Sequence, residues 1–191
     1  MATDRFEFDR FADLVRSRRT SMFVDQDRAV PVELVEELCA LATWAPNHKK
    51  TWPWRFALFT GAGRARLGET MADDMERADF GDDAKRAKTR IKYLRTPATL
   101  VVACTPADNE MLHAENRDAV AAGIQNLLLG ATTLGLASFW STPALTQPAA
   151  TLELCGFDPA DRLVGVIYIG WSTGGAPVPD RPIPHISHIS S

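Results

Sequence analysis

Cysteine is scarce in this chain. Cys39, Cys104 and Cys155 are odd in number, widely separated and never arranged as CxxC. That argues against a disulfide framework, fits a reducing compartment and offers no zinc-ligand spacing. A surplus of one charge is missing as well: 21 Lys and Arg stand against 24 Asp and Glu, a net charge of −3. No overall field draws the protein to nucleic acid, so anion binding must come from local clusters. The opening MATDRFEFDRFADLVRSRR contains no apolar segment of signal-peptide type, and a cytoplasmic protein is expected. A convincing membrane span is also lacking. The nearest approach, AVAAGIQNLLLGATTLGLASFW (119–140), draws much of its apolar content from Ala and Gly and carries the amides Gln125 and Asn126. Two amides within a span are costly in lipid, so this stretch reads as a helix buried in a core or between subunits. Internal repeats and low-complexity tracts are absent, and 191 residues at 46% hydrophobic content are expected to form one domain, 1–191.

The elements follow from pattern. Residues 8–17 read as a helix with Phe11, Leu14 and Val15 on one face. A second helix begins at Pro31, carries Val32, Val35, Leu38, Cys39 and Ala42, and stops near Trp44 because Pro46 disfavours helical angles at Ala45. WRFALFT (54–60) is a strand followed by a Gly-Ala-Gly turn. Residues 64–95 are acidic, then basic, and read as a solvated helical excursion, with a phosphate site in the basic half as the rival. TLVVACT (99–105) has the β-branched content of a central strand. A long helix starting near Glu115 leads to a short strand at 137–140, a short helix at 148–154 and the last strand, LVGVIYIGW (163–171). The tail from about 172 to 191 is too rich in Pro and Gly for a helix and must run extended over its own surface or a partner's.

Four motifs are weighed and set aside. FALFTGAGRARLGE resembles a dinucleotide-binding turn, but Arg66 stands where a small residue is required. GWSTG (170–174), with Asp180 and His185 downstream, has hydrolase order, yet Pro177 and Pro179 leave no helix to form a nucleophile elbow around Ser172. HAE (113–115) lacks the P-C-x-x-C of zinc deaminases. HISH puts two histidines on opposite faces of an extended tail, and no metal site is expected.

What remains is a constellation. RSRRTSMF (16–23) supplies arginine forks and hydroxyls suited to phosphate, although a basic loop end is often merely solvated. WAPNHKKTWPWRF (44–56) crowds aromatic and cationic groups into a segment whose prolines forbid a regular helix. Together with GLASFWSTPAL and a late DRP, these pieces resemble the nitroreductase family, specifically its small single-domain YdjA-like members, over nearly the whole chain.

The resemblance implies an α+β sandwich with a central, mainly antiparallel sheet flanked by helices, and a long buried helix in the core of a homodimer. It implies FMN at the subunit interface, hydride taken from NAD(P)H at flavin N5, and electrons passed to a small acceptor such as a nitroaromatic or quinone by a ping-pong mechanism. No catalytic acid or nucleophile is then required. It places Arg18, Arg19 and Thr20 at the flavin phosphate and ribityl chain, Thr20 standing where Ser is usual. Trp44 and His48 fall against the partner subunit's flavin, although a loop histidine bonded to backbone is the other reading of His48. Trp140, Ser141 and Thr142 line the flavin, Ser141 replacing an Arg of some relatives. Arg181 reaches the phosphate from the tail, and Thr132, Thr133 and Gly135 lie at the nicotinamide. Lys49 and Lys50 are candidates to stabilise negative charge on the ring, with plain solvent exposure the alternative. Trp52 and Trp54 are expected to pack. A flavin-binding protein without turnover, used for storage or sensing, is the alternative function; a hydrolase built on Ser172 is a third.

Overall fold

A computed structural model describes residues 5–190; of the domain expected over 1–191, residues 1–4 and 191 lie outside the described residues. Helix α1 (Arg5–Ser17) is followed by β1 (Val24–Asp25), α2 (Val32–Ala42), β2 (Trp54–Thr60), α3 (Gly63–Arg77), α4 (Asp83–Lys92), β3 (Ala98–Cys104), α5 (Glu110–Thr133), β4 (Leu136–Ser141), α6 (Ala149–Cys155) and β5 (Arg162–Ser172). The strands form one antiparallel sheet in the order β1-β5-β3-β2, with β4 also paired to β5. A single parallel bridge, Thr20 to Ser138, docks the segment after α1 onto β4.

Strand alternation divides the core into two layers. Ala98, Leu100, Val102 and Cys104 of β3 face α2 and α5, together with Val35, Leu38, Ile124 and Leu127. Val101 and Ala103 face the other way, onto Leu67 and Met71 of α3, Leu152 of α6 and Tyr93. Opposite the Val102–Ala103 step, Val164 is the extra residue of a bulge, because Val102 pairs with Gly165 and Ala103 with Leu163. The bulge flips the side-chain parity of β5. It also sets Gly165 beneath Trp140, where a Cβ would lie 2.2 Å from the indole nitrogen.

Helix α5 lies against the sheet because small residues let it come close. At Gly123 a Cβ would sit 2.6 Å from the Ala42 carbonyl oxygen and 2.7 Å from the Trp54 indole nitrogen. Trp54 is buried and donates its N–H to the Ala119 carbonyl at 3.3 Å.

Three expectations are corrected. The 64–95 segment is not a solvated excursion: Leu67, Met71 and Met75, four residues apart on α3, are fully buried. Helix α5 begins at Glu110 rather than near Glu115, because the Asn109 side chain caps it by accepting the Leu112 N–H at 2.9 Å. Nor is the helix read as buried covered within one chain, since Asp118, Ala122 and Gln125 are exposed on one face of α5. The tail from 173 to 190 has neither helix nor strand, and its Val178, Ile183, Ile186 and Ile189 are exposed. Among the described residues no helix is long and apolar enough to cross a membrane.

Candidate functional site

Two groups of residues flank the exposed face of α5, one near each end. The first forms where α1 stops. Ser17 turns its hydroxyl back onto the Leu14 carbonyl at 2.9 Å, and the chain then runs beside β4, with the Ser21 N–H donating to the Ser138 carbonyl at 3.0 Å. This leaves Arg18 and Arg19 at the C-terminal end of α1, where free carbonyls favour cations. Arg19 donates to the Arg16 and Arg18 carbonyls. Its buried Nε has no partner.

Arg16, Arg18 and Arg19 line a cavity of about 610 Å³ that is closed by Pro179, Asp180 and Arg181 of the tail and by Gln125 of α5. The Arg18 guanidinium is held below its ordinary pKa, first by burial and then by the like charges of Arg181 and Arg19. Asp180 is the one carboxylate beside four guanidinium groups on this lining, of which Arg16 is paired with Asp13 at 3.5 Å, so the lining is net positive.

A second cavity, of about 280 Å³, adjoins it through Arg19, with Ser17, Ser21, Thr132, Gly135 and the tail glycines Gly174 and Gly175 on its walls. Gly135 has φ +75°, which lets the chain reverse from α5 into β4. The Thr132 and Thr133 hydroxyls donate to the Leu128 and Gly130 carbonyls of their own helix. Thr133 is not on the wall.

The second group is carried by the loop 43–53. Lys49, Lys50 and Trp52 all have left-handed backbone, with φ of 58°, 54° and 51°. Such angles in non-glycine residues persist only when the surroundings enforce them. Here Asn47 accepts the Trp52 N–H at 2.9 Å and donates to the Thr51 hydroxyl at 3.0 Å. Thr51 in turn donates to Asn116 at 2.5 Å, and Asn116, buried in α5, donates to the Thr105 carbonyl at 3.3 Å. Next to that staple the His48 Nδ1 lies 2.7 Å from Glu115 Oε2. The His48 partner is therefore a carboxylate rather than backbone. Pro46, His48, Glu115, Asp118 and Ala122 border a shallow hollow of about 350 Å³. Trp44 is 83% exposed, and Trp52, expected to pack, is 58% exposed.

The structure thus gathers Arg18, Arg19 and Arg181 around one cavity and adds Thr132 and Gly135 next to it. Thr20 lies alongside on its bridge to Ser138. Trp140, Ser141 and Thr142 stand apart: Ser141 is three strand residues beyond Ser138, about 10 Å at strand rise. Trp44 and His48 do not meet the arginines in one chain. Glu115 and Gln125, which mark the two groups on α5, are ten residues apart, or about 15 Å along a helix. Glu115 and Asn116 carry no signal of this role in the sequence; Glu115 is 67 residues from His48, and nothing local links them.

Two of the motifs set aside can be placed on the fold. No helix follows Ser172, whose hydroxyl accepts the Gly174 N–H at 3.1 Å. The β2–α3 turn leaves an antiparallel edge strand, not a parallel βαβ unit. Among the described residues no group of three or more His, Cys, Asp or Glu could hold a metal ion.

This is an α+β sandwich with an arginine-lined cavity formed where the C-terminal end of α1, the tail and the long helix α5 converge. The sequence model of the Nitroreductase family matches residues 15–171, and the chain belongs to that family. A nitroreductase-like family protein from Bacillus cereus superposes with a TM-score of 0.77 at 30% identity, over 91% of this chain and 90% of that one. YfhC of Bacillus subtilis (strain 168), provisionally named an NAD(P)H nitroreductase, is 27% identical over 162 residues, 83% of this chain and 82% of its own. NfnB from Mycobacterium smegmatis, an FMN-dependent nitroreductase solved with NADPH, shares the fold at a TM-score of 0.71 and 17% identity, over 95% of this chain and 100% of that one.

Proposed function

We propose that this protein is an FMN-dependent oxidoreductase that takes hydride from NAD(P)H and reduces a small nitroaromatic- or quinone-like acceptor. The observation that carries the reading is the convergence of Arg18, Arg19 and Arg181 on one cavity. Like charges brought together at the cost of burial, with one buried Nε unpaired, suit a dianionic phosphate. Family membership and the FMN dependence of NfnB support the same ligand.

The exposed face of α5 supports a homodimer. It runs from an acidic hollow bearing Glu115 and Asp118, past Ala122, to Gln125 at the arginine cavity. A twofold axis near Ala122 would lay one α5 against its copy, acidic end to basic end. His48 at the acidic end, with Trp44 on the same loop, and the arginines at the other end of that face would then meet across the seam. Ala122→Arg should place like charges at that axis. Sedimentation is expected to show a monomer of about the 21.0 kDa chain mass without flavin; a yellow dimer would place the seam elsewhere.

In this reading bound FMN supplies the redox chemistry, accepting hydride from the nicotinamide and passing electrons to the acceptor. The protein holds the phosphate with Arg18, Arg19, Thr20 and Arg181 and closes the ring site with Trp140, Ser141 and Thr142. Trp44 and His48 come from the other subunit, and Lys49 and Lys50 are the cations nearest to them in sequence. The nicotinamide is received near Thr132, Thr133 and Gly135. Donor and acceptor use one ring face and exclude each other, so parallel double-reciprocal lines are expected when both are varied. Intersecting lines would mean separate sites.

The deciding experiment is the visible spectrum of the purified protein before and after anaerobic NAD(P)H. A flavin spectrum that bleaches supports turnover. A flavin spectrum that persists favours the non-catalytic flavin-binding alternative, and a protein that takes up no FMN overturns both.

A further inference from the structure

We infer that Glu115 is a positioning residue that makes His48 a proton-coupled contact for the anionic ligand of the other subunit; this rests on the dimeric FMN reading above. Glu115 Oε2 lies 2.7 Å from Nδ1, and a carboxylate in its ionised form can only accept. The hydrogen between them therefore belongs to His48, and the neutral ring is held as the Nδ1–H tautomer. That tautomer presents a lone pair at Nε2, which repels an anion. Only the imidazolium offers Nε2–H, and in that form both ring N–H groups are used, one toward Glu115 and one outward. Binding an anionic group at Nε2 must then bring a proton with it, taken from solvent onto His48.

The surroundings suit that role. Glu115 and Asp118 of α5 border the same hollow as His48. Lys49 and Lys50 of its own loop are both exposed, where water screens their charge. The ring cannot easily turn away. Asn116, the next residue of α5, clamps the strained loop through Thr51 and Asn47, so adjacent residues of one helix fix both the loop and the imidazole. Residual exposure of about 58% for the His48 side chain leaves Nε2 free for a group from outside the chain.

Two readouts test this, one of them independent of flavin. Histidine ¹⁵N spectra of the full-length protein, with His48 assigned through His48→Gln, should show the neutral ring as Nδ1–H. In Glu115→Ala the ring should revert mainly to the Nε2–H form that free histidine prefers, and Glu115→Asp should restore Nδ1–H at least in part. Calorimetric FMN titrations near pH 8, in two buffers of different ionisation enthalpy, should report uptake of about one proton per FMN. That uptake is lost in His48→Gln and Glu115→Ala. A neutral Nε2–H tautomer in the native chain, or equal proton uptake by native and His48→Gln protein, overturns the inference while leaving an FMN enzyme standing. Failure to bind FMN at all would overturn the proposed function, and the tautomer would still decide the role of Glu115.

Discussion

Arg18→Ala is expected to lose FMN without losing the fold. Arg18 is half-buried among Arg19 and Arg181, so in the absence of an anion its charge is a burden. Removing one partner of a desolvated, hydrogen-bonded charge pair costs about 2–4 kcal/mol, or roughly 30- to 1000-fold in FMN dissociation constant. The flavin-free chain should be affected little, by within about 0.5 kcal/mol, because among the described residues no hydrogen bond from the Arg18 side chain holds the fold and the mutual repulsion is relieved. Arg18→Lys keeps the charge but not the planar fork, and should fall between, about tenfold weaker than the native chain. Arg181 sits on an exposed tail, so Arg181→Ala is expected to cost less than Arg18→Ala. Fluorescence titration of FMN with a thermal melt of each flavin-free variant separates the outcomes. An Arg18→Ala protein that retains stoichiometric flavin at native affinity would remove the phosphate assignment. One that melts well below the native flavin-free chain would make Arg18 a structural residue.

How much of this could be read without coordinates differs from element to element. The strand 54–60 is recovered at both ends, because Pro53 and Gly61 bracket a run rich in aromatic and apolar residues. The two other long strands and the α6 helix fall within a residue or two of their expected limits. The start of α5 lies outside the expected limits because half of residues 110–115 are polar and three apolar residues are too few to set a period, even though Asn109 is a good cap. In α3 the opposite error arises: charges outnumber the stripe of Leu67, Met71 and Met75 and hide it. β1 is two residues long and owes its existence to β5, nearly 150 residues away; no local signal could disclose it.

The candidate site divides in the same manner. Arg18, Arg19 and Arg181 are legible as arginine-bearing segments, but their meeting at one cavity depends on how the tail folds back. The His48–Glu115 pair and the Asn47–Thr51–Asn116 staple join residues more than 60 positions apart. Local pattern reports which groups a loop carries. It cannot report which helix will hold them.

The largest stability effect is expected on the opposite face of the sheet, at Asp74→Ala. Asp74 of α3 is 4% exposed and caps α6 from outside that helix. It accepts the Thr151 hydroxyl at 2.7 Å, the Thr151 N–H at 2.8 Å, the Ala150 N–H at 3.2 Å and the Arg77 guanidinium at 2.8 Å. A carboxylate at a helix N-terminus satisfies free N–H groups and complements the helix dipole. Truncation takes the carboxylate acceptor from the buried Thr151 N–H and hydroxyl, the hydroxyl keeping only a 3.9 Å contact to Met71 Sδ, and should cost about 3 kcal/mol. In a chain of this size that lowers Tm by about 10 °C. The pH dependence follows from the same contacts. Burial would raise the Asp74 pKa, but the hydrogen bonds from Arg77, Thr151 and Ala150 outweigh it and hold it below the ordinary carboxylate value. A depressed folded pKa means the contribution is complete above the unfolded carboxylate pKa and is lost as pH falls through the folded one. Urea midpoints should therefore separate the native and Asp74→Ala chains fully at neutral pH and converge in acid. A gap under 1 kcal/mol at neutral pH, or one that stays constant into acid, would mean that the carboxylate is not what anchors α6. Since α6 and the arginine cavity lie on opposite faces of the sheet, the folded fraction of Asp74→Ala should bind FMN as the native chain does. Arg18→Ala should do the reverse, keeping the fold and losing the ligand.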